Sequence, residues 1–200
     1  MQFQREYVAY MAKQVLKRLN DDGLISFEQP DYVTEVMNQV MLEELSVEDR
    51  INDEVRKILE EHGNQMKELG ASYEDAFKAI KKELVRQRKV ILLGRCFAAM
   101  KMSHEKIVQV SHQAMAAIEA LDEVEIYEEP NTIRQQIVKI LTELMHEEEK
   151  IDQTVKDRIA SQKRTIPEGG GEWEILYRKY YSEELRKLGI APPPAPPHYS

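Results

Sequence analysis

Two stretches a hundred residues apart, FEQPDYVTEVMNQVMLEELSVEDRINDEVRKIL at 27–59 and YEEPNTIRQQIVKILTELMHEEEKIDQTVKDRI at 127–159, align without a gap. Glu28/Glu128, Pro30/Pro130, Glu43/Glu143, Glu48/Glu148, Ile51/Ile151 and Val55/Val155 are identical across the pair. Phe27/Tyr127, Val33/Ile133, Met37/Ile137, Met41/Leu141, Leu45/Met145 and Arg56/Lys156 match by class. Extending the same offset pairs Tyr73 with Trp173, Phe77 with Tyr177 and Arg86 with Arg186. An offset one residue shorter pairs Glu6 with Glu105, Val8 with Ile107 and Leu19 with Ile118. Register kept over three successive elements predicts a tandem repeat. Its units are 1–89 and 102–190, joined by 90–101 and followed by a proline-rich tail at 191–200.

Within each unit the hydrophobic spacing predicts helix, short strand and helix. Helices are expected over 4–20 and 103–121, and extended segments over 24–27 and 124–127, where Val124, Glu125 and Ile126 alternate. Pro30 and Pro130 fit the first turn of the next helix, where proline sacrifices no hydrogen bond. Val33, Val36, Met37, Val40, Met41 and Leu45 then recur as a core-facing stripe. Ser46 followed by Asp49 resembles a cap and predicts a bend or restart. Loops over 62–71 and 162–171 precede last helices over 73–89 and 173–188. Gly169, Gly170 and Gly171 loosen the second loop, but no strand precedes them and no Lys-Ser or Lys-Thr follows, so a phosphate loop is disfavoured. Two-stranded pieces this short do not stand alone. The predicted fold is therefore all-α, mainly helical with two short strands, its halves burying each other as a pseudo-dimer with VILLGRCFAAM (90–100) between them.

Composition narrows the function classes. The 200 residues carry 28 Lys and Arg against 36 Asp and Glu, a net charge of −8. A single cysteine excludes an internal disulfide framework or a CxxC site. No stretch approaches the roughly 20 apolar residues of a spanning helix. The first residues, MQFQREYVAYMAKQ, lack the apolar core of a signal peptide. Cytoplasmic residence without membrane attachment is the expectation.

REYVAYMAKQVLKRL, LEELSVEDRINDEVRKILEEH and IDQTVKDRIASQKRTIPEGGGEWEILYRKYYSEELRKLG resemble a bacterial family, domain of unknown function five-hundred-and-seven. The similarity runs to about Gly189, and IPEGGGEWEILYRKYY is its most specific part. The resemblance implies an all-helical fold of helix–strand–helix units likened to an ancestral histone fold. It implies no established activity and no catalytic residues.

Reactive groups form no catalytic constellation in the sequence. Glu143 and His146 have the ExxH spacing of di-iron bundles, but such a site needs a second pair and two more glutamates. The corresponding Glu43 faces Ser46, so a solvated polar face is the simpler reading. His104 and His112 lie about two helical turns apart, too far to share one ion. Cys96 in GRCFAAM reads as a buried inert thiol. Ser103, His104 and Glu105 are neighbours in sequence, whereas a triad meets in space. No enzymatic activity, no metal and no cofactor are expected.

Charge separates two binding readings. Residues 28–61 hold eleven acidic side chains against Arg50, Arg56 and Lys57. The helix predicted over 73–89 is basic, with Lys78, Lys81, Lys82, Arg86, Arg88 and Lys89. Those six are the candidate contacts of a histone-like nucleic-acid binder, a reading that the acidic balance disfavours because phosphate neutralisation needs basic surface. The preferred reading is a non-enzymatic protein that binds another protein. Its candidate contacts are Arg178, Lys179 and Tyr181, with Tyr181 expected to be exposed because it aligns with Lys81. Pro193 and Pro196 join them, in a tail, APPPAPPHYS, suited to an aromatic-lined groove. The sequence sets no oligomeric state.

Overall fold

Proline begins two helices here. Its fixed φ suits the first turn and its missing N–H would have been unpaired there anyway. Helix α2 runs Pro30–Leu45 and its later counterpart α6 runs Pro130–Ala160. The computed structural model describes residues 5–62, 72–91, 102–162 and 164–190. Among these it has seven helices and two strands. The remaining elements are α1 (Arg5–Asp21), β1 (Ile25–Phe27), α3 (Val47–Glu61), α4 (Tyr73–Arg88), α5 (His104–Glu119), β2 (Val124–Ile126) and α7 (Gly171–Lys187). The fold is all-α, as the periodicity predicts. The segment expected to lie between the halves falls almost wholly outside the described residues, as do Cys96 and the proline-rich tail.

Apolar spacing decides which faces turn inward. Along α1, Val8, Met11, Ala12, Val15, Leu16 and Leu19 are buried. Along α5, Ile107, Val110, Ala114, Met115 and Ile118 take the same role. Val33, Met37, Met41 and Leu45 of α2 close over them. Val36 and Val40, expected in that stripe, are only half-buried. Helix α1 packs on both α2 and α6, while α5 packs on both α6 and α2. Removing each of the fully buried Val, Leu, Ile and Met side chains from water stabilises the fold by about 1.5–3 kcal/mol.

The strands join the two ends of this arrangement. They pair antiparallel, with Ile25 opposite Ile126, Ser26 opposite Glu125 and Phe27 opposite Val124. The ladder extends by one more bond, from the Tyr127 N–H to the Leu24 carbonyl (3.0 Å). Alternation along a strand turns Ile25 and Val124 to the core and Ser26, Glu125 and Tyr127 to the outside.

Ser46 breaks what would otherwise be one long helix. Its hydroxyl donates to the Glu43 carbonyl (3.1 Å), and the Arg50 guanidinium donates to the same oxygen (2.6 Å). Side chains thus take over an acceptor that the bend disturbs. At the matching position His146 offers no such bond among the described residues, and α6 runs unbroken over its 31 residues. The break separates α3 and α4 from the main core. They pack on each other around Ile51, Val55 and Leu59, with Phe77, Ile80 and Leu84 against them. By contrast Val155, Ile159, Tyr180 and Leu185, of α6 and α7, belong to the main core.

Candidate functional site

Helix α7 carries three of the residues predicted to meet a partner, and the structure corrects one of them. Tyr181 is buried, not exposed: only 2% of it reaches solvent. Its hydroxyl donates to Glu148 Oε1 over 2.7 Å, and Glu148 is itself 1% exposed. The reason is helical spacing. Trp173, Tyr177, Tyr181 and Leu185 recur every four residues, and the three aromatic rings stack in turn with centroids 4.9 and 5.6 Å apart. Trp173 and Tyr177 are half-buried and Tyr180 is buried, consistent with their expected place toward the core.

Around Glu148 the phenols hold their protons firmly. Burial, then the Glu148 carboxylate, pushes Tyr181 and Tyr7 above the ordinary phenol value. Burial and the hydrogen bond to Asp152 do the same to Tyr177. Tyr7 donates to the Leu144 carbonyl (2.7 Å). These groups fasten α1, α6 and α7 together, with Tyr7, Tyr181 and Glu148 sealed from solvent and Tyr177 half-buried. On the outer face of α7, Arg178 and Lys179 are exposed, one turn beyond Ile175, which is 70% exposed.

The six cations proposed for nucleic acid lie on α4 and at its end. Most of them face carboxylates of this chain. Lys81 pairs with Glu48 (2.7 Å), Arg88 with Glu54 (2.7 Å), Arg86 with Glu83 (2.8 Å) and Lys78 with Glu74 (3.8 Å). Lys82 and Lys89 are exposed, with no ion pair to a described residue. Two of these pairs, Lys81 with Glu48 and Arg88 with Glu54, join the acidic α3 to the basic α4 across one helical hairpin. A phosphate backbone would have to compete with those carboxylates for the same cations.

Other reactive groups are spread out in the same way. Glu143 pairs with Arg18 (2.9 Å), and the exposed His146 lies 3.5 Å from Glu149. No group of three or more metal-ligating side chains assembles among the described residues. Lys106 is 1% exposed and bridges Glu44 Oε1 (2.5 Å) to the Ile91 carbonyl (3.1 Å). That lysine ties α5 to α2 and to the residue that follows the α4 hairpin.

One surface was missed by the sequence reading. The turns on either side of the strand pair contain Asp21, Asp22, Glu28 and Asp31 on one side and Glu119, Asp122, Glu123, Glu125, Glu128 and Glu129 on the other. Neither 19–33 nor 119–133 contains a lysine, arginine or histidine. Glu123 is half-buried and the other nine are exposed. Among the described residues no ion pair reaches any of the ten. Asp22 accepts from Gln136 (2.8 Å) and Glu125 from Tyr127 (2.7 Å). Their charge exceeds the chain's net −8, so the other residues together are slightly positive. The signal was present as missing cations, but the two turns meet only through the strand pairing.

Four of these acids sit where helix electrostatics opposes them. Asp21 ends α1, Asp22 follows it, Glu119 ends α5 and Asp122 lies just beyond. Carboxylates at a helix C-terminus face unsatisfied carbonyls and each costs about 0.3–1 kcal/mol. Two exposed aromatic side chains accompany them, Tyr127 (57% exposed) and Tyr32 (48%). Tyr127 is held by hydrogen bonds with Ser26 and Glu125, both 2.7 Å.

No helix among the described residues is long and apolar enough to cross a membrane. No curated protein matches the chain. Residues 1–190 match the family described as protein of unknown function, DUF507. Nearly the whole chain is covered, up to the proline-rich tail, and the chain belongs to the DUF507 family.

Proposed function

We propose that this chain is a non-enzymatic cytoplasmic interaction protein, a rigid pseudo-symmetric helical body that presents its acidic strand-pair end to another protein. One observation carries the reading. Elsewhere many carboxylates pair with cations of the chain, as with Glu143, Glu44, Glu48 and Glu54, whereas among the described residues none of the ten at this end does. A charge left unbalanced there, partly against the helix dipoles, lowers stability. Departures of this kind from local consistency are typical of functional surfaces.

Pseudo-symmetry is supported by corresponding contacts. Exchanging the halves turns Ile25 opposite Ile126 into Glu125 opposite Ser26, which is the neighbouring rung of the same ladder. The pair of Tyr7 with Leu144 corresponds to that of Lys106 with Glu44. Tyr181 with Glu148 corresponds to Lys81 with Glu48. A body locked in this way keeps its exposed side chains in place for a partner.

Zero-length carbodiimide crosslinking in cells, read by mass spectrometry, tests the reading. It joins carboxylates to a partner's lysines. Links from Glu125, Glu128 or Glu129 to one recurring protein are expected. Links confined to Lys179, to α4 or to the proline-rich tail would overturn the choice of surface, and no intermolecular links at all would overturn the interaction reading.

A further inference from the structure

We infer that the strand-pair end is a docking surface for an extended Lys- and Arg-rich segment of another protein. The inference rests on the interaction reading above and names the chemistry of the partner. Charge complementarity selects it. Ten carboxylates without a cation among them attract positive side chains and repel nucleic acid and anionic lipid alike. The exposed rings add what a purely ionic surface lacks, because a guanidinium stacks on a tyrosine face while its charge meets the neighbouring carboxylates. Tyr127 is positioned for this, pinned between Ser26 and Glu125 on the outward side of the ribbon.

Helix electrostatics supplies a separate reason. Asp21, Asp22, Glu119 and Asp122 oppose the dipoles of α1 and α5 in the free protein. A bound cation replaces that repulsion by attraction on both sides. The carboxylates destabilise the chain by itself and strengthen the complex.

The test titrates the full chain with a fluorescent peptide of roughly twelve residues, rich in lysine and arginine, at low and physiological salt. Asp21→Asn with Glu119→Gln is expected to weaken binding about fivefold and to raise the melting temperature, opposite signs that a structural role would not produce. Glu60→Gln with Glu61→Gln makes the same charge change at the C-terminus of α3 and is expected to weaken binding less than about twofold. Tyr127→Ser leaves the charge unchanged and is expected to weaken binding about threefold. Equal losses from the two charge variants would reduce the effect to non-specific attraction and overturn the inference, as would the absence of peptide binding. Stoichiometric calcium binding that displaces the peptide and ignores Tyr127→Ser would make the surface a cation site instead, with the same consequence. Failure here, with recurring crosslinks still formed in cells, leaves the interaction reading standing; failure of both removes it.

Discussion

Tyr181 donates its hydroxyl proton to the Glu148 carboxylate over 2.7 Å, with both side chains shut off from water. A hundred residues earlier, Lys81 meets Glu48 at the same 2.7 Å separation, half-buried. A carboxylate recurs at both places and its partner changes. A neutral phenol suits a sealed site, because it satisfies the carboxylate without bringing in a second charge to desolvate.

Tyr181→Phe should therefore destabilise the chain more than Lys81→Met does. The phenylalanine keeps the stacked ring but removes a hydrogen bond from a buried carboxylate, at a cost of about 1–3 kcal/mol. Breaking the half-exposed pair should cost less than about 1 kcal/mol. Urea unfolding of the two variants checks the order.

Alkaline titration addresses the same groups by another route. Tyr7, Tyr177 and Tyr181 have folded pKa values raised above the ordinary 10.0 by burial and nearby carboxylates. Their contribution to stability is complete below pH 10, where both states are protonated. It falls as pH rises further, by up to about 1.4 kcal/mol per unit for each group, because the unfolded chain ionises first. Absorbance at the phenolate band should show these three of the nine tyrosines ionising only as the fold opens.

Lys106 separates the loss of an ion pair from its replacement. Lys106→Ala leaves Glu44 without its buried partner and should cost about 3–5 kcal/mol. Lys106→Met with Glu44→Leu removes both charges and should recover more than half of that loss, with the single and the double variant compared by urea unfolding. A double variant as unstable as the single would show that the Ile91 carbonyl contact matters more than the charge pair.

Leu59→Ala should loosen one hairpin and spare the rest. Leu59 lies in the small cluster between α3 and α4, apart from the main core. A cost of about 2–3 kcal/mol falls on a hairpin whose apolar cluster is separate from the main core, so opening should be local. Hydrogen exchange should speed up across 47–61 and 73–88 while α1 and α6 keep their protection.

The helices were legible because apolar spacing and two prolines mark them directly. The break at Ser46 was legible from its hydroxyl and the acids that follow. Tyr181 was misplaced because alignment with Lys81 implied exposure. Both positions turn toward the carboxylate at 48 or 148, and a long lysine reaches solvent from a place where tyrosine is enclosed. The spacing of Trp173, Tyr177, Tyr181 and Leu185 carried the correct answer. Glu48 and Glu54 count toward an acidic segment in the sequence, although their partners, Lys81 and Arg88, lie on α4. The acidic end was overlooked because its two turns are far apart in sequence and become one surface only through three strand pairs.

Affinity capture at physiological salt, comparing the unaltered chain with Glu125→Gln/Glu128→Gln/Glu129→Gln and with Glu60→Gln/Glu61→Gln, tests the choice of surface most directly. A protein recovered with the unaltered chain and the α3 variant, and lost from the strand-pair variant, is the predicted result. Recovery of that protein undiminished by the strand-pair variant would contradict it.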